Sequence, residues 1–506
     1  MKSSSYLYLL FVLFPFWLHA QDSLSLYDKI YNRLDPVRTF NETYYYNPAN
    51  MSDYSPFSFS DIQLKYQKTN KENYLLQEGK SSQIVSFNAS SYKKQKNNQT
   101  IWGAASYINT QLNSVKWNNN LDLDRIGPFV MADSLGGKTN VQAYQFSGGY
   151  SKAVGRFNWG AQISYQAALS FKTIDPRPKN TTSDLELTVG GNYAIGSKYK
   201  LGVHAAINRY IQTSTISFSS EVQRAALYQM NGLGNYNFYF SSRSEKSAFT
   251  NFTHKYQLSF GSTDNTLAFN AGFIKGTLTK DTFLDSGSSS YEINRLANQG
   301  FFINVLKAVP LNHEVTIAAK IDIQTTNKSG IETYYTNNTD ILQKLLEKEN
   351  YKHTTNDLRF QTFFNYKRNK ANLSIAPYYR QLKNTEKRLD QEVFQQFNYS
   401  FVGAKLTYVQ QLNKTNIISL QSNIYARKVT NANSNFSGIT KASINEWLHN
   451  DYNVQSMNLF AVDAALRYDV KMDTKTSLYT IFALNLHRFS NNNTNTQTAL
   501  TVGVAF

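Results

Sequence analysis

The sequence predicts an all-β fold: a transmembrane antiparallel β-barrel of about 18 strands, within a range of about 16 to 20, with a short N-terminal helical or plug segment. Three observations lead to this prediction. Apolar and polar residues alternate with little interruption from Phe57 to Phe506, which is the period of strands with one apolar face. Short connections alternate with long ones, as in membrane barrels. No run of about eighteen apolar residues follows residue 20, so no apolar spanning helix is expected.

Three segments follow one another along the chain. Residues 1–20 have the pattern of a secretory signal peptide, with Lys2, an apolar stretch over Tyr6–Leu18 and a cleavage site at Leu18-His19-Ala20. A transmembrane anchor is the alternative, but the apolar stretch is shorter than the roughly 20 residues that a spanning helix needs. Residues 21–56 are predicted to form a periplasmic or plug segment, and residues 57–506 the barrel.

The predicted plug segment begins with an amphipathic helix. Over Ser23–Leu34, one helical face carries Leu24, Tyr27, Tyr31 and Leu34, and Pro36 ends the pattern. The run Asn47-Pro48-Ala49 follows shortly before the first strand. The candidate plug residues are Tyr27, Tyr31, Asn47 and Pro48.

Alternation over about fifteen residues makes Phe157–Phe171 the clearest strand, long enough to cross a membrane at a tilt. Its outward face carries Trp159, Ile163 and Leu169. The predicted strands are 57–68, 81–92, 99–113, 140–151, 156–171, 184–195, 199–212, 253–260, 266–280, 298–309, 314–325, 357–366, 371–383, 395–410, 417–429, 456–470, 478–489 and 496–506. An even strand number places both termini on the periplasmic side.

Charged residues of the strands are expected to face the lumen, because a charge facing lipid at mid-depth costs a few kcal/mol. Two interpretations remain open for these residues: a salt-bridged network that stiffens the lumen, or a path for a polar solute. The lumen-lining candidates are His204, Lys320, Asp322, Arg359, Arg427, Asp463, Arg467 and Asp469.

The long connections 213–252, 326–356 and 430–455 are predicted to form the outer gate. Apolar spacing predicts helices over Thr339–Asn350, Val222–Met230 and Ala442–His449. Such helices would cover the rim of the barrel or form a lid.

No constellation of catalytic residues is apparent. The sequence lacks HExxH, a P-loop and GxSxG, and its seven His residues are scattered. It has no Cys, which excludes disulfides and thiolate metal sites. We therefore expect no enzymatic activity, no catalytic, cofactor-binding or metal site, and no cofactor.

The formal net charge is +17, with 52 Lys and Arg against 35 Asp and Glu. Nucleic acid is the usual partner of a basic chain, but these cations are dispersed and lie mostly at strand ends and in loops. We expect no nucleic-acid partner. The charge fits contact with outer-membrane lipid and lipopolysaccharide, or a mild anion preference of the lumen.

Two resemblances bear on the location and class of the chain. The alternating strand that ends in Leu500, Val502, Val504 and Phe506 resembles the assembly signal of Gram-negative outer-membrane β-barrels. That resemblance implies an outer-membrane location and recognition of Phe506 by the barrel-assembly machinery. Asn47-Pro48-Ala49 is similar to the segment before the barrel in the long-chain fatty-acid transporter family, which implies an N-terminal hatch and hydrophobic substrates. The chain also fits an uncharacterised group of such barrels, and is too short for a TonB-dependent receptor with about 22 strands.

Passage or uptake of an unknown small solute across the outer membrane is the expected function. The alternative is a structural or docking barrel for a secreted or surface-attached partner, and a lipid-acting barrel enzyme is a third possibility.

Overall fold

A computed structural model describes residues 26–34, 36–220, 224–264, 266–284, 289–336, 342–473 and 476–506. The predicted signal peptide at 1–20 lies outside these ranges. Eighteen antiparallel strands form one sheet, and the first strand pairs with both the second and the last. The sheet is therefore a closed barrel, as the sequence predicts.

Short helical elements precede the barrel strands along the chain. The N-terminal segment contains α1 (Leu26–Arg33), α2 (Pro36–Phe40) and two 3-10 segments, Glu42–Tyr46 and Pro48–Asp53. The barrel strands are β1 (Phe59–Asn70), β2 (Ser81–Gln95), β3 (Gln99–Val115), β5 (Gly137–Val154), β6 (Phe157–Phe171), β7 (Arg177–Ile195), β8 (Tyr199–Ser217), β11 (Lys246–Ser262), β12 (Leu267–Leu284), β13 (Ser289–Pro310), β14 (Val315–Tyr335), β15 (Lys344–Arg368), β16 (Ala371–Arg388), β17 (Phe394–Gln411), β18 (Asn416–Asn435), β19 (Leu459–Lys471), β20 (Ser477–Phe489) and β21 (Thr494–Ala505). The connections contain α3 (Leu123–Ile126), β4 (Met131–Ala132), β9 (Tyr228–Gly232), β10 (Asn235–Tyr236) and α4 (Ala442–Gln455).

The outer surface of the barrel is apolar, as the alternation predicts. Trp159 and Ile163 are exposed on β6, whereas Ser164, next to Ile163, lines an interior cavity. The same holds on β17, where Val402 is 64% exposed. An exposed apolar band around a closed barrel is the surface that hydrocarbon requires, so this barrel spans a membrane.

Several strands continue well beyond the predicted ranges. Each predicted range overlaps one barrel strand, but β15 runs over 25 residues where ten were predicted as 357–366. Its first half, Lys344–Asn356, is mostly polar, and its apolar residues Leu345, Leu346 and Tyr351 follow no period of two. A strand that meets water on both faces loses the period-two hydrophobic signal.

Two of the three predicted loop helices are wrong. Residues 344–350 of the predicted helix Thr339–Asn350 belong to β15, where Lys348 pairs with Glu332 of β14. Cross-strand pairing with opposite charges outweighs the helical spacing there. Residues 228–230 of the predicted helix Val222–Met230 belong to β9, whereas the helix predicted over Ala442–His449 is confirmed as α4. None of the helices in the described ranges is long and apolar enough to cross a membrane.

Candidate functional site

The end of the barrel that holds Phe506 is filled by residues 26–34 and 36–58, which we call the plug. On α1, Tyr27 and Ile30 are buried against Val409 and Ile417 of the barrel wall. The candidate Tyr31 stacks on Tyr27, with ring centroids 6.2 Å apart. The helical face predicted from the sequence is therefore the face that contacts the wall.

Asn47 and Pro48 sit in a niche lined by glycines of three adjacent strands. An added Cβ on Gly160 of β6 would lie 2.5 Å from the Pro48 carbonyl carbon, and one on Gly190 of β7 would lie 2.1 Å from Asn47 Oδ1. Gly202 of β8 completes the niche, because an added Cβ there would lie 3.1 Å from Asn47 Nδ2. The wall has no side chains where the plug approaches it most closely.

Hydrogen bonds fix this contact. The Asn47 amide donates to the carbonyls of Gly191 at 3.2 Å and Val203 at 3.3 Å, and its Oδ1 accepts from the Ala49 N–H at 3.0 Å. Asn192 Nδ2 donates to Asn50 Oδ1 at 2.7 Å. The asparagines of the plug thus replace water at carbonyls and amides of the wall.

Charged groups hold the edges of the plug. Arg33 Nη2 lies 3.3 Å from Asp61 Oδ2, and Lys200 Nζ lies 2.5 Å from Asp53 Oδ2. Phe40 contacts Phe363 with ring centroids 5.3 Å apart. The plug is anchored to several separate parts of the wall.

The opposite end of the barrel is covered by the connections 116–136, 218–245 (of which 218–220 and 224–245 are described) and 436–458, which we call the lid. Trp117 and Trp447 from two of these connections stack with centroids 5.3 Å apart and an interplanar angle of 9°. β9 of the second connection pairs with β4 of the first, which joins these two connections, and with β10 of its own connection. The apolar cluster around Trp117 and Trp447 extends onto inward residues of the wall, including Tyr210, Phe249 and Leu296.

The first lid connection, residues 116–136, also makes polar contacts deep in the lumen. Arg125 of α3 pairs with Asp184 at 2.9 Å and donates to Asn208 at 2.7 Å. Tyr210 donates to Asp122 at 2.8 Å, and burial raises the pKa of the Asp122 carboxyl. The predicted gate did not include this connection, and it did include 326–356, most of which forms β14 and β15.

Polar cavities lie between the plug and the lid. The amide cavity, of about 610 Å³, is lined by β1–β8 residues such as Gln63, Asn88 and Gln166. The plug cavity, of about 360 Å³, is lined by Glu42, His204 and Lys320 among others. The basic cavity, of about 220 Å³, is lined by Arg359, Gln361, Tyr378, Arg380, Phe401, Lys405, Asn423, Tyr425 and Asp463.

These cavities are neighbours. Arg359 lines both the basic cavity and the plug cavity. Lys255 of the plug cavity pairs at 2.7 Å with Glu186, which lines the amide cavity. The lumen between the two ends therefore holds a series of polar spaces.

Five of the eight lumen-lining candidates contribute to these cavities. His204, Lys320, Asp322 and Arg359 line the plug cavity, and Asp463 with Arg359 lines the basic cavity. Lys320 pairs with Asp322 at 3.4 Å, and His487 lies 3.1 Å from Asp463. The same wall thus carries both ion pairs and cavities.

The other three candidates hold structure at the two ends. Arg467 makes a bidentate contact with Asp469 at 2.7–2.8 Å and lies 3.7 Å from the Tyr479 ring centroid, near the plug. Arg427 donates to the Met457 carbonyl beside the lid at 2.6 Å. Lys405 and Glu42 were not among the predicted site residues, although Lys405 follows the inward period of β17. Among the described residues, no group of three or more His, Asp or Glu could hold a metal ion.

A closed transmembrane β-barrel with an apolar exterior, a filled terminal end and a polar interior belongs to the class of outer-membrane β-barrels. The chain is a member of the family DUF6850, described as a family of unknown function, which matches residues 48–506. No curated protein matches it by sequence.

Solved structures that resemble the fold include three receptors. The ferric preacinetobactin receptor BauA from Acinetobacter baumannii is 8% identical, with a TM-score of 0.38 over 89% of this chain and 80% of that one. The siderophore receptor PiuA from the same organism is 7% identical, with a TM-score of 0.40 over 89% and 82%. The ferric-catecholate import receptor Fiu from E. coli K12 is 6% identical, with a TM-score of 0.41 over 89% and 82%.

Proposed function

We propose that this barrel takes up a small polar solute across the outer membrane, with the lid as the gate and the plug as the periplasmic stop. The observation that carries the proposal is the position of the polar cavities between two closed ends. A barrel that served only as a rigid support would gain from filling this space with packed side chains. Instead, Arg, Lys, Asp, Asn and Gln side chains line open volume.

The two ends differ in how they are held. The plug is hydrogen-bonded to wall carbonyls in a niche shaped for it. The lid is held by an apolar cluster of its three connections, which extends onto inward residues of the wall, and by polar contacts of Arg125 with Asp184 and Asn208. Loops that cover a site are the parts that move in many transporters and enzymes. The lid lies at the outer end, where a solute arrives, so it opens first, and displacement of the plug is a second step.

The polar lining supports a polar class of solute. The hydrophobic substrates implied by the resemblance of Asn47-Pro48-Ala49 to fatty-acid transporters do not match cavities lined by charges and amides. Uptake of this kind needs no catalytic step. We also propose cleavage of the signal after Ala20, contact of the basic rim with lipopolysaccharide, and assembly through Phe506 by the barrel-assembly machinery.

A second candidate is a docking barrel for a surface partner. A cleft of about 540 Å³ opens in the outer part, lined by Tyr236, Phe238, Tyr239, Tyr334 and Tyr335 with Asn235 and Arg243. Phe238 is 85% exposed. Exposed aromatic side chains beside Arg are typical of binding surfaces. Solute capture and docking can both use this cleft, so the two functions must be separated by measurement.

Conductance of the purified protein in planar bilayers tests uptake. We expect rare, small openings for the full mature chain, and larger, longer openings when residues 21–56 are removed. Asn47→Ala removes three side-chain hydrogen bonds, two of them to the wall, without shortening the chain. Its openings are expected to be intermediate in size and duration between those two forms. No conductance in any of the three, with all of them folded, contradicts a transport role. A stoichiometric partner that copurifies from outer membranes and is lost on Phe238→Ser then supports docking.

A further inference from the structure

Two arginines face each other directly across neighbouring strands in the basic cavity. Arg359 of β15 is paired in register with Arg380 of β16. Lys405 of β17 lines the same cavity. Like charges directly opposite each other destabilise a sheet unless counter-charges offset them.

Only one of the three cations is neutralised by the wall. Asp357 accepts two hydrogen bonds from Arg380, at 2.8 and 2.7 Å. Within the described ranges, neither Arg359 nor Lys405 has a carboxylate at ion-pair distance, and Arg359 Nε is buried without a hydrogen-bond partner. The Nε–H of the Arg359 guanidinium is therefore a hydrogen-bond donor without an acceptor in the wall.

The nearby carboxylates are engaged elsewhere or belong to the plug. Asp463 contacts His487 at 3.1 Å and accepts from Asn423 at 3.4 Å. Asp322 is paired with Lys320. Glu42 of the plug lines the adjoining plug cavity. In the basic cavity itself, three cations face the single carboxylate of Asp463.

The remaining lining suits a small organic group. Tyr378, Phe401 and Tyr425 provide flat walls, and Tyr378 is oriented by a 3.2 Å hydrogen bond to Asn423. Gln361 adds an amide. A cavity of about 220 Å³ holds a carboxylate or phosphate group with a small body attached. Arginine matches such groups because its planar fork donates two parallel hydrogen bonds.

We propose that the basic cavity is an anion-binding site at which Arg359 and Lys405 contact a carboxylate or phosphate group of the solute. The inference rests on the proposed function, since it names the class of solute that the barrel takes up. An anion in this position offsets the repulsion between Arg359 and Arg380 and supplies the missing partner of Arg359 Nε. Glu42 adjoins the same space, so a displaced plug would leave Lys405 with less competing negative charge.

Equilibrium dialysis of the full mature chain in detergent tests the site without any need for transport. The probes are inorganic phosphate and benzoate, with benzyl alcohol and benzylamine as neutral and cationic counterparts of the same size. We expect the wild type to retain both anions in a salt-sensitive manner and to retain benzyl alcohol and benzylamine at least about tenfold less.

The variants are Arg359→Gln, Lys405→Gln and their combination, with Lys65→Gln as the matched control. Lys65 lies on β1 between outward Leu64 and Tyr66, so its substitution removes one lumen cation away from the basic cavity. We expect each single variant to weaken benzoate binding at least about tenfold. We expect Lys65→Gln to leave benzoate binding within about twofold of the wild type. Arg359→Lys keeps the charge but loses the bidentate fork, so we expect its benzoate binding to lie between those of the wild type and Arg359→Gln.

The outcomes separate this inference from the proposed function. Equal retention of all probes, or equal loss of benzoate in Lys65→Gln and Arg359→Gln, overturns the anion site. Anion binding that depends on Arg359 and Lys405 supports the site even if the bilayers show no conductance, in which case the transport role alone fails. For each variant, resistance to unfolding by sodium dodecyl sulfate at room temperature confirms that the barrel is intact.

Discussion

Trp117 and Trp447 lie face to face across the outer mouth of the barrel, with ring centroids 5.3 Å apart. One residue follows β3 and the other lies on α4, so this contact joins lid connections that are far apart in sequence. Both side chains are almost completely buried. The Trp447 indole also donates to Asp451 at 2.8 Å. The pair packs α4 against the first lid connection.

Trp447→Ala is expected to loosen the lid and leave the barrel intact. Removal of a buried Trp side chain costs on the order of 3–5 kcal/mol, and the loss falls on lid docking because the barrel strands do not need this contact. Amide hydrogen exchange within 442–455 should become at least about tenfold faster. Bilayer conductance should show more frequent openings.

Glu446→Ala is the control for this experiment. Glu446 is exposed on the same helix, one position before Trp447. We expect its exchange rates and conductance to match the wild type. Unchanged exchange in Trp447→Ala would show that α4 is held mainly by other contacts.

Gly190→Ala is expected to unseat the plug. The new Cβ would lie 2.1 Å from Asn47 Oδ1 and 2.9 Å from His204 Cβ, so either the plug or the wall must shift. Overpacking of this kind costs about 1–3 kcal/mol. Amide protection within 42–53 should fall roughly tenfold, measured by hydrogen exchange in detergent.

Gly148→Ala gives the matched comparison for the plug. An added Cβ there has its nearest neighbour, the Trp102 carbonyl oxygen, at 3.9 Å. Exchange within 42–53 should remain as in the wild type. Equal effects of the two substitutions would mean that strand destabilisation, rather than the plug contact, explains the result.

The barrel was predictable because hydrocarbon outside and water inside impose a period of two on each strand. The outward direction of Trp159 and Ile163 therefore follows from the alternation along β6 alone. β17 shows where this logic fails. Phe397 and Tyr399 are apolar but face inward, because Phe397 contacts Tyr452 of the lid at 5.4 Å between centroids. A strand that passes under the lid has aromatic residues on its inner face, so along β17 the apolar side chains change from the inner face at Phe397 and Tyr399 to the outer face at Val402.

The site was less predictable because it depends on register and on distant contacts. Each niche glycine, seen alone, indicates only flexible backbone. Gly160, Gly190 and Gly202 form one niche only when β6, β7 and β8 are aligned in register. The connection 116–136 has no strong local period, and its structure depends on residues of two other connections. Sequence periodicity carries no information about such contacts.

Arg388→Met is expected to be among the more destabilising substitutions in the barrel wall. The Arg388 side chain is 0% exposed and contacts Glu332 at 2.7 Å and Asp390 at 2.7–2.8 Å. Removing the cation leaves two carboxylates without their partner, which costs about 3–5 kcal/mol. Urea unfolding in detergent, followed by tryptophan fluorescence, measures the loss.

Arg368→Met serves as its counterpart on the surface. Arg368 lies 3.9 Å from Glu314, and both side chains are largely exposed. Such a pair contributes at most about 1 kcal/mol. A comparable loss of stability in both variants would argue against a special role of the buried Arg388 contacts.

The lid should dock more tightly in acid than at neutral pH because of Asp451 on α4. Burial raises the pKa of this carboxyl to about 6 from 3.8, despite hydrogen bonds from Leu76 N–H, Asn450 and Trp447. The docked helix therefore binds the proton more tightly than the undocked helix, so docking is strongest below pH 3.8 and weakens as the pH rises to about 6. The change is about 3 kcal/mol and levels off at higher pH. Protection factors of amides in 442–455 between pH 4 and pH 7 should fall accordingly in the wild type and in Glu446→Gln, but not in Asp451→Asn. A wild-type profile as flat as that of Asp451→Asn would show that Asp451 keeps its ordinary pKa when the lid is closed.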